Sequence, residues 1–352
     1  MIISKLAKFN WFCNLFSAFE YYLSKDAKKS FAIFDSLFRN YSPSKETALT
    51  QKEIKKVYRD YLKGKLKYGV TDKDYLAFDW MNLSERAKAN FITVRINSEL
   101  YHKYDNLSLC PIMADKVRFN QVYKSFCKRD WIWVHSEKQR EEFLNFCNKH
   151  KKIVLKPKDG QQGKGVMLVE VITDEQKTNA WKLCLSNKCL VEEVLCQSNE
   201  MALFHPSSIN TIRISTAVDK KGVPHIVAAS MRCGRGCSFV DNASSGGLFC
   251  GIDVSSGMII SPGIDMSNNK YLIHPDSNVV FLGRFIPQWE ELHSLALQAA
   301  TLIPKLRYIG WDWVLCKDGH WELLEGNEPG GANVTQQGVG HGLLNEYYKY
   351  LK

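Results

Sequence analysis

Apolar residues recur at three-to-four spacing through the first 70 positions, in Leu15, Phe19 and Tyr22 and again in Phe31, Phe34 and Leu37. That period predicts helices. Ser42-Pro43-Ser44 separates two of them, and residues 52–66 read as a further charged amphipathic helix. A looser stretch, 69–74, precedes a helix expected over 84–102. Near residue 110 the pattern changes. Ala114-Asp115-Lys116 opens a helix, residues 131–134 read as a strand, and Ser136 caps a helix running to about His150. Residues 153–158 and 166–169 read as strands flanking a glycine-rich loop. A helix over 173–187 then leads to a strand at 189–194. Residues 208–218 alternate, with Asn210, Ile212 and Ile214 on one face and Thr211, Arg213 and Ser215 on the other. The next strand, 223–231, ends at Arg232, and helices are expected over 287–307 and 341–352.

The most informative stretch is 310–331, GWDWVLCKDGHWELLEGNEPGG, which reads as two short strands joined by Asp318-Gly319. That dipeptide is a two-residue hairpin signal. With it as the loop, Lys317 pairs with His320 and Asp312 stands opposite Glu325. Asn327 falls on the same face, because strand side chains alternate. Trp311, Trp313, Leu315 and Leu324 load the other face, and Val314 and Leu323 lie between the polar residues. Two carboxylates about 5 Å apart repel each other in a bare sheet, and a divalent cation would resolve the conflict. The oxygen-only set of Asp312, Glu325 and Asn327 suits Mg²⁺ with a phosphate completing the shell. The alternative is a solvated hairpin face that happens to carry two acids.

Composition changes this picture little. The 352 residues are 45% hydrophobic and 24% charged, which suits a soluble globular chain of two or three structural units. Eleven cysteines without CxxC pairs or zinc spacing point to free thiols in a reducing compartment. The apolar start is interrupted by Asn10, Asn14 and Glu20, unlike a signal peptide, and no 18-residue apolar run is present. Charge says more. Of the formal net charge of +10, residues 1–70 carry 14 Lys/Arg against 6 Asp/Glu, a surplus of +8. Phe9, Trp11, Phe12, Phe16, Phe19, Tyr21 and Tyr22 are mixed with these cations. Such a region suits an anionic membrane surface, or else packs its aromatics inward and leaves its lysines in water. A nucleic-acid partner is not expected, because the basic charge is confined to this end and no recognition motif accompanies it.

The loop at 159–165 carries candidate chemistry. Gly160, Gly163 and Gly165 free the backbone to wrap a ligand, and a nest of backbone N–H groups favours phosphate oxygens. Lys156 from the preceding strand and Lys164 from the loop could neutralise phosphate charge. This is not a Walker A loop, since GxxxxGK[ST] is absent and a strand follows where a helix would; a plain glycine-rich hairpin is the alternative. Glu192 and Glu193 end a buried strand and need partners, which adenine, ribose hydroxyls or a nearby lysine would supply. Arg213 and Arg232 could each clamp a phosphate or carboxylate, or serve as surface or structural ion pairs.

These segments occur in one order: Lys156 and its loop, Val191-Glu192-Glu193-Val194, Asn210-Thr211-Ile212-Arg213, Arg232, Asn242 with Gly246-Gly247, then Asp312, Glu325 and Asn327. The ordered set resembles the ATP-grasp superfamily. DNASSGG and GWDW…LLEGNEPGG most resemble its sugar-transfer-associated branch, met in bacterial cell-surface polysaccharide gene clusters. The resemblance covers about 110–345. It implies an α+β fold in which two α/β subdomains clasp ATP between antiparallel sheets, with a helical N-terminal extension. The expected division is 1–105 for the basic helices, 106–200 for the lobe with the glycine-rich loop, and 201–352 for the lobe with the Mg²⁺-binding hairpin. By the same resemblance, Lys116 and Lys156 hold ATP phosphates and residues 160–165 close over them. Backbone groups around Glu192, Glu193 and Val194 bind adenine, and Glu193 or Glu200 the ribose. Asp312, Glu325 and Asn327 hold Mg²⁺, and Arg213 and Arg232 steady the transferred phosphoryl group.

The implied activity is that of an ATP-dependent carboxylate–amine ligase. It acts through an acyl phosphate on a small-molecule carboxylate and amine, such as a sugar acid and an amino acid. Two other readings are a peptide-modifying ligase that makes ester or amide crosslinks, and a non-catalytic nucleotide-binding module that recruits a glycosyltransferase. The expected place is the cytoplasm, with peripheral contact on the inner membrane face through residues 1–70.

Overall fold

The computed structural model describes residues 12–17, 27–41, 49–157, 165–238, 241 and 246–352. Two antiparallel sheets organise them. The smaller contains β1 (Trp131–Trp133), β2 (Lys152–Pro157), β3 (Met167–Glu170) and β4 (Cys189–Glu193) in the order β1-β4-β2-β3. Alternation puts Ile153, Leu155 and Val191 on one face, where they pack against Phe143, Cys147, Trp181 and Cys184 of the helices Arg140–Lys149 and Asp174–Asn187. Thr173 and Gln176 form a capping box that starts the second helix.

The larger sheet contains β5 (Thr211–Val218), β6 (Pro224–Cys233), β7 (Leu248–Ile252), β8 (Gly263–Ile264), β9 (Lys270–Tyr271), β10 (Tyr308–Leu315) and β11 (Trp321–Asn327). Its order is β11-β10-β5-β6-β7-β8-β9. Ile212, Ile214, Met231, Trp311, Trp313 and Leu323 lie in one core with Leu292, Ala296 and Ala299 of the helix Trp289–Leu302. Phe119, Tyr123 and Phe126 belong to the same core, with Tyr123 against Trp311 at 5.4 Å between ring centres. The helix Lys116–Val122 therefore packs with the large sheet, and the small sheet's own core begins at about residue 131.

The N-terminal helices have a separate aromatic core of Phe34, Tyr58, Tyr61, Tyr75, Trp80 and Phe91. Helix Gln51–Tyr68 starts with a Thr50–Glu53 capping box, buries Ile54, Val57, Tyr58, Tyr61 and Leu62, and exposes Lys52, Lys55, Lys56, Arg59 and Lys65. The aromatics expected at Phe9, Trp11, Phe19, Tyr21 and Tyr22 lie outside the described residues. The expected single helix over 84–102 is two, Glu85–Lys88 and Val94–Tyr104. Phe91 and Ile92 turn into the interior between them, and Thr93 caps the second. This region is bound to the main body. Asn333 Nδ2 donates to Asp74 Oδ1 at 2.9 Å, and Gln336 bonds the backbone N–H and C=O of Ile92 at 2.8 and 3.0 Å.

The hairpin differs from its expected register in two compensating ways. Cys316, not Lys317, pairs with His320, so the loop has three residues, Lys317-Asp318-Gly319, with Gly319 at φ +90°. A bulge between Asp312 and Trp313 then shifts the ladder back by one. Asp312 does stand opposite Glu325, but Leu323 replaces Leu324 in the core, Leu324 is half-buried at the bulge, and Glu322 lies opposite Val314. A bulge inserts one residue into one strand only, which is how register and facing come apart.

Candidate active site

Asp312 lies on β10, the second strand of the large sheet, flanked by Arg213 on β5 and Glu325 on β11. Arg213 grips it as a fork: Nε donates to Oδ1 at 2.5 Å and Nη2 to Oδ2 at 2.9 Å. Arg232, from β6, adds one bond from Nη1 to Oδ2 at 3.3 Å. Burial alone would raise the Asp312 carboxyl, but the two guanidinium groups hold it well below the ordinary range. Asn327 Nδ2 donates to Asp312 Oδ2 and to Glu325 Oε1, both at 3.2 Å. Glu325 is shifted the opposite way: reduced hydration of its carboxyl and the adjacent Asp312 charge raise it, although the side chain is exposed. The two carboxylates offer hard oxygen donors, the Asn327 amide bridges them through Nδ2, and desolvation together with the Asp312 charge raises Glu325, a cost a cation would relieve. Asp312, Glu325 and Asn327 thus fit Mg²⁺.

Asp241 sits beside this group. Its Oδ2 accepts the backbone N–H and the hydroxyl of Thr211 at 3.0 and 2.5 Å. Burial raises its carboxyl to about 6 against the opposing pull of Arg232.

Lys156 and Glu192 share the face of the small sheet opposite its helices, because Val154 pairs with Glu192 and Lys156 with Leu190. The Lys156 ammonium ion-pairs with Glu192. Glu192 also lies 3.0 Å from Nη2 of Arg129, whose Nη1 is 2.6 Å from Glu322 on β11. Burial would raise Glu192, yet Arg129 and Lys156 hold it at about 2. Glu192 thus has two cationic partners, Arg129 and the lysine that the sequence offered. Glu193 points to the other face, where its Oε1 accepts the Asp130 N–H at 2.9 Å and His150 approaches Oε2 at 3.7 Å. Val194 is half-buried after the strand, and Glu200 is exposed in the short helix Asn199–Ala202. Lys116 is the first residue of its helix, next to the capping carboxylate of Asp115. Gly165 adopts φ +75°, and a Cβ there would sit 2.9 Å from the Pro157 ring. Gly160, Gly163 and Lys164 lie outside the described residues, as does Asn242.

Arg129, Asn120 and Glu322 were not anticipated. Lys128-Arg129-Asp130 has the look of a surface charge run. The available signal was Glu322 between Trp321 and Leu323, an acid inside an apolar strand that demands a buried cation.

A family model described as sugar-transfer associated ATP-grasp matches residues 95–350. No curated protein matches the chain. Among solved structures, D-alanyl-alanine synthetase A from Vibrio cholerae O1 biovar eltor is 12% identical, with a TM-score of 0.45 over 70% of this chain and 65% of that one. The biotin carboxylase domain of 2-oxoglutarate carboxylase from Hydrogenobacter thermophilus is 14% identical, with a TM-score of 0.43 over 73% of this chain and 50% of that one. A D-cycloserine synthetase is 14% identical, with a TM-score of 0.42 over 72% and 75%. The chain thus spans about two thirds of the synthetase's length and half of the carboxylase domain's.

Proposed function

The chain belongs to the sugar-transfer associated ATP-grasp family, and from that premise we propose that it is an ATP- and Mg²⁺-dependent ligase joining a carboxylate to an amine. The observation that carries this reading is the convergence of Asp312, Glu325 and Asn327 beside Arg213 and Arg232. A substrate carboxylate oxygen attacks the γ-phosphorus of ATP, and the bond to the bridging oxygen breaks to release ADP. The amine nitrogen then attacks the carbonyl carbon of the acyl phosphate; inorganic phosphate leaves with the C–O electron pair, and the nitrogen loses a proton. Bound Mg²⁺ supplies charge neutralisation at the phosphates. The chain's own residues position and stabilise. Arg213 commits two nitrogens to Asp312, so it fixes that carboxylate. Arg232 meets Asp312 through Nη1 alone and is the candidate to contact the transferred phosphoryl group. Lys156 presents an ammonium for an ATP phosphate from the opposite sheet.

The family description supports a sugar or sugar acid as one substrate. An ADP-release screen of uronic acids against amino acids and polyamines tests this. Turnover with a uronic acid pair is expected; no ADP release with any pair, or release unchanged in E325Q, would sink the assignment. The exposed cations of helix Gln51–Tyr68 support peripheral contact with an anionic surface. Among the described residues no helix is long and apolar enough to cross a membrane. Co-sedimentation with phosphatidylserine vesicles tests the contact.

A further inference from the structure

We infer that Arg129 is a positioning residue that places Lys156 for nucleotide binding by holding Glu192, while tying both to the hairpin that carries Asp312 and Glu325. The inference rests on the ligase reading above. Arg129 precedes β1, and its side chain is 1% exposed. Nη1 donates to Glu322 Oε1 at 2.6 Å and to the Leu323 carbonyl at 2.8 Å. Nη2 is 3.0 Å from Glu192 Oε1 and donates to Asn120 Oδ1 at 2.9 Å. Asn120 Nδ2 in turn donates to Glu192 Oε1 at 3.3 Å, and the backbone N–H groups of Lys128 and Arg129 donate to the Glu322 carboxylate at 2.8 and 3.3 Å. One guanidinium therefore touches both sheets.

The four charges of Lys156, Glu192, Arg129 and Glu322 sum to zero, and their exposure is graded. Glu322, Arg129 and Glu192 are 0%, 1% and 3% exposed, whereas Lys156 is 19% exposed. The chain of charges thus opens to solvent at its lysine end. Burying three charges is expensive, and apolar residues would serve a purely structural core as well. What the network adds is control of Lys156. Arg129 neutralises part of the Glu192 charge, which leaves the lysine ammonium able to share itself with a phosphate instead of being held by Glu192 alone. A lysine at position 129 keeps the charge but cannot span Glu192, Glu322, Asn120 and a carbonyl with one nitrogen.

A double-mutant cycle tests this on the full chain, with R129K, K156M and R129K/K156M read by titration of a fluorescent ATP analogue and by KM and kcat for ADP release. R129K is expected to weaken ATP binding about tenfold, chiefly in KM. It should add little to K156M, because an effect relayed through Lys156 disappears when Lys156 is gone. Additive losses, or unweakened binding by R129K, would overturn the inference, and so would wild-type binding by K156M. Failure of the wild-type chain itself to bind ATP would instead overturn the ligase reading. If thermal melts show R129K unfolded, N120A takes its place in the same cycle. It removes the amide that bonds both Arg129 Nη2 and Glu192 Oε1 but keeps all four charges, and the same outcomes decide.

Discussion

Two buried clusters of acids and cations behave oppositely. Around Arg129, two acids and two cations alternate, and each carboxylate has a cation of its own. Around Asp312 there are again two cations, both arginines, but three acids, Asp312, Glu325 and the neighbouring Asp241, and both arginines go to Asp312. Among the described residues no ion pair reaches Glu325, which leans on the Asn327 amide. The carboxyl shifts record the difference: Glu192 is held at about 2, and Glu325 is pushed up. A cluster whose charges are matched in pairs holds its members in place, Lys156 among them. A cluster with one carboxylate left over is prepared for a cation brought from outside.

The contrast can be broken most forcefully at Glu322. E322A leaves Arg129 with half its neutralisation in a dry interior, and a loss of about 3–5 kcal/mol in urea unfolding is expected. D312N should be comparable, since it strands two arginines, and it should also abolish ADP release. E325Q should separate the two clusters: ADP release falls about a hundredfold or more, while urea unfolding stays near wild type, because the charge removed is the unmatched one. An E325Q chain as unstable as E322A would show that the clusters do not differ.

A pH series sharpens the comparison. Glu192 is lower in the folded chain than its ordinary value of 4.5, so its contribution to stability is fully present above that value. It is lost as pH falls from about 4.5 towards about 2. Acid unfolding of E192Q should lack this component, and identical acid profiles for the two chains would contradict it. The smallest effect belongs to charges outside both clusters. Replacing exposed Lys52, Lys55 and Lys56 by Glu should change stability by less than about 0.5 kcal/mol each, yet reduce sedimentation with anionic vesicles.

Much of this was legible. The alternation of Thr211, Arg213 and Ser215 against Ile212 and Ile214, and the face shared by Asp312, Glu325 and Asn327, follow from the two-residue period of a strand. The hairpin also shows how fragile such reasoning is. The loop is one residue longer than Asp318-Gly319 implies, and a bulge restores the register before Asp312. The two offsets cancel at Asp312 and Glu325, and between them Leu323, not Leu324, enters the core. Bulges answer to packing on both faces of a sheet, which a single strand's pattern does not display.

By itself the sequence determined the periodic elements, the strands on either side of the glycine-rich segment, and the nearness of Asp312 to Glu325, because those depend on neighbours along the chain or across one turn. Only the tertiary structure decided which acid receives which cation. Arg129 meets Glu322 across 193 positions and Arg213 meets Asp312 across 99. At such separations the choice of partner is made by how the sheets and helices pack, and a buried carboxylate takes whichever cation that packing brings within reach.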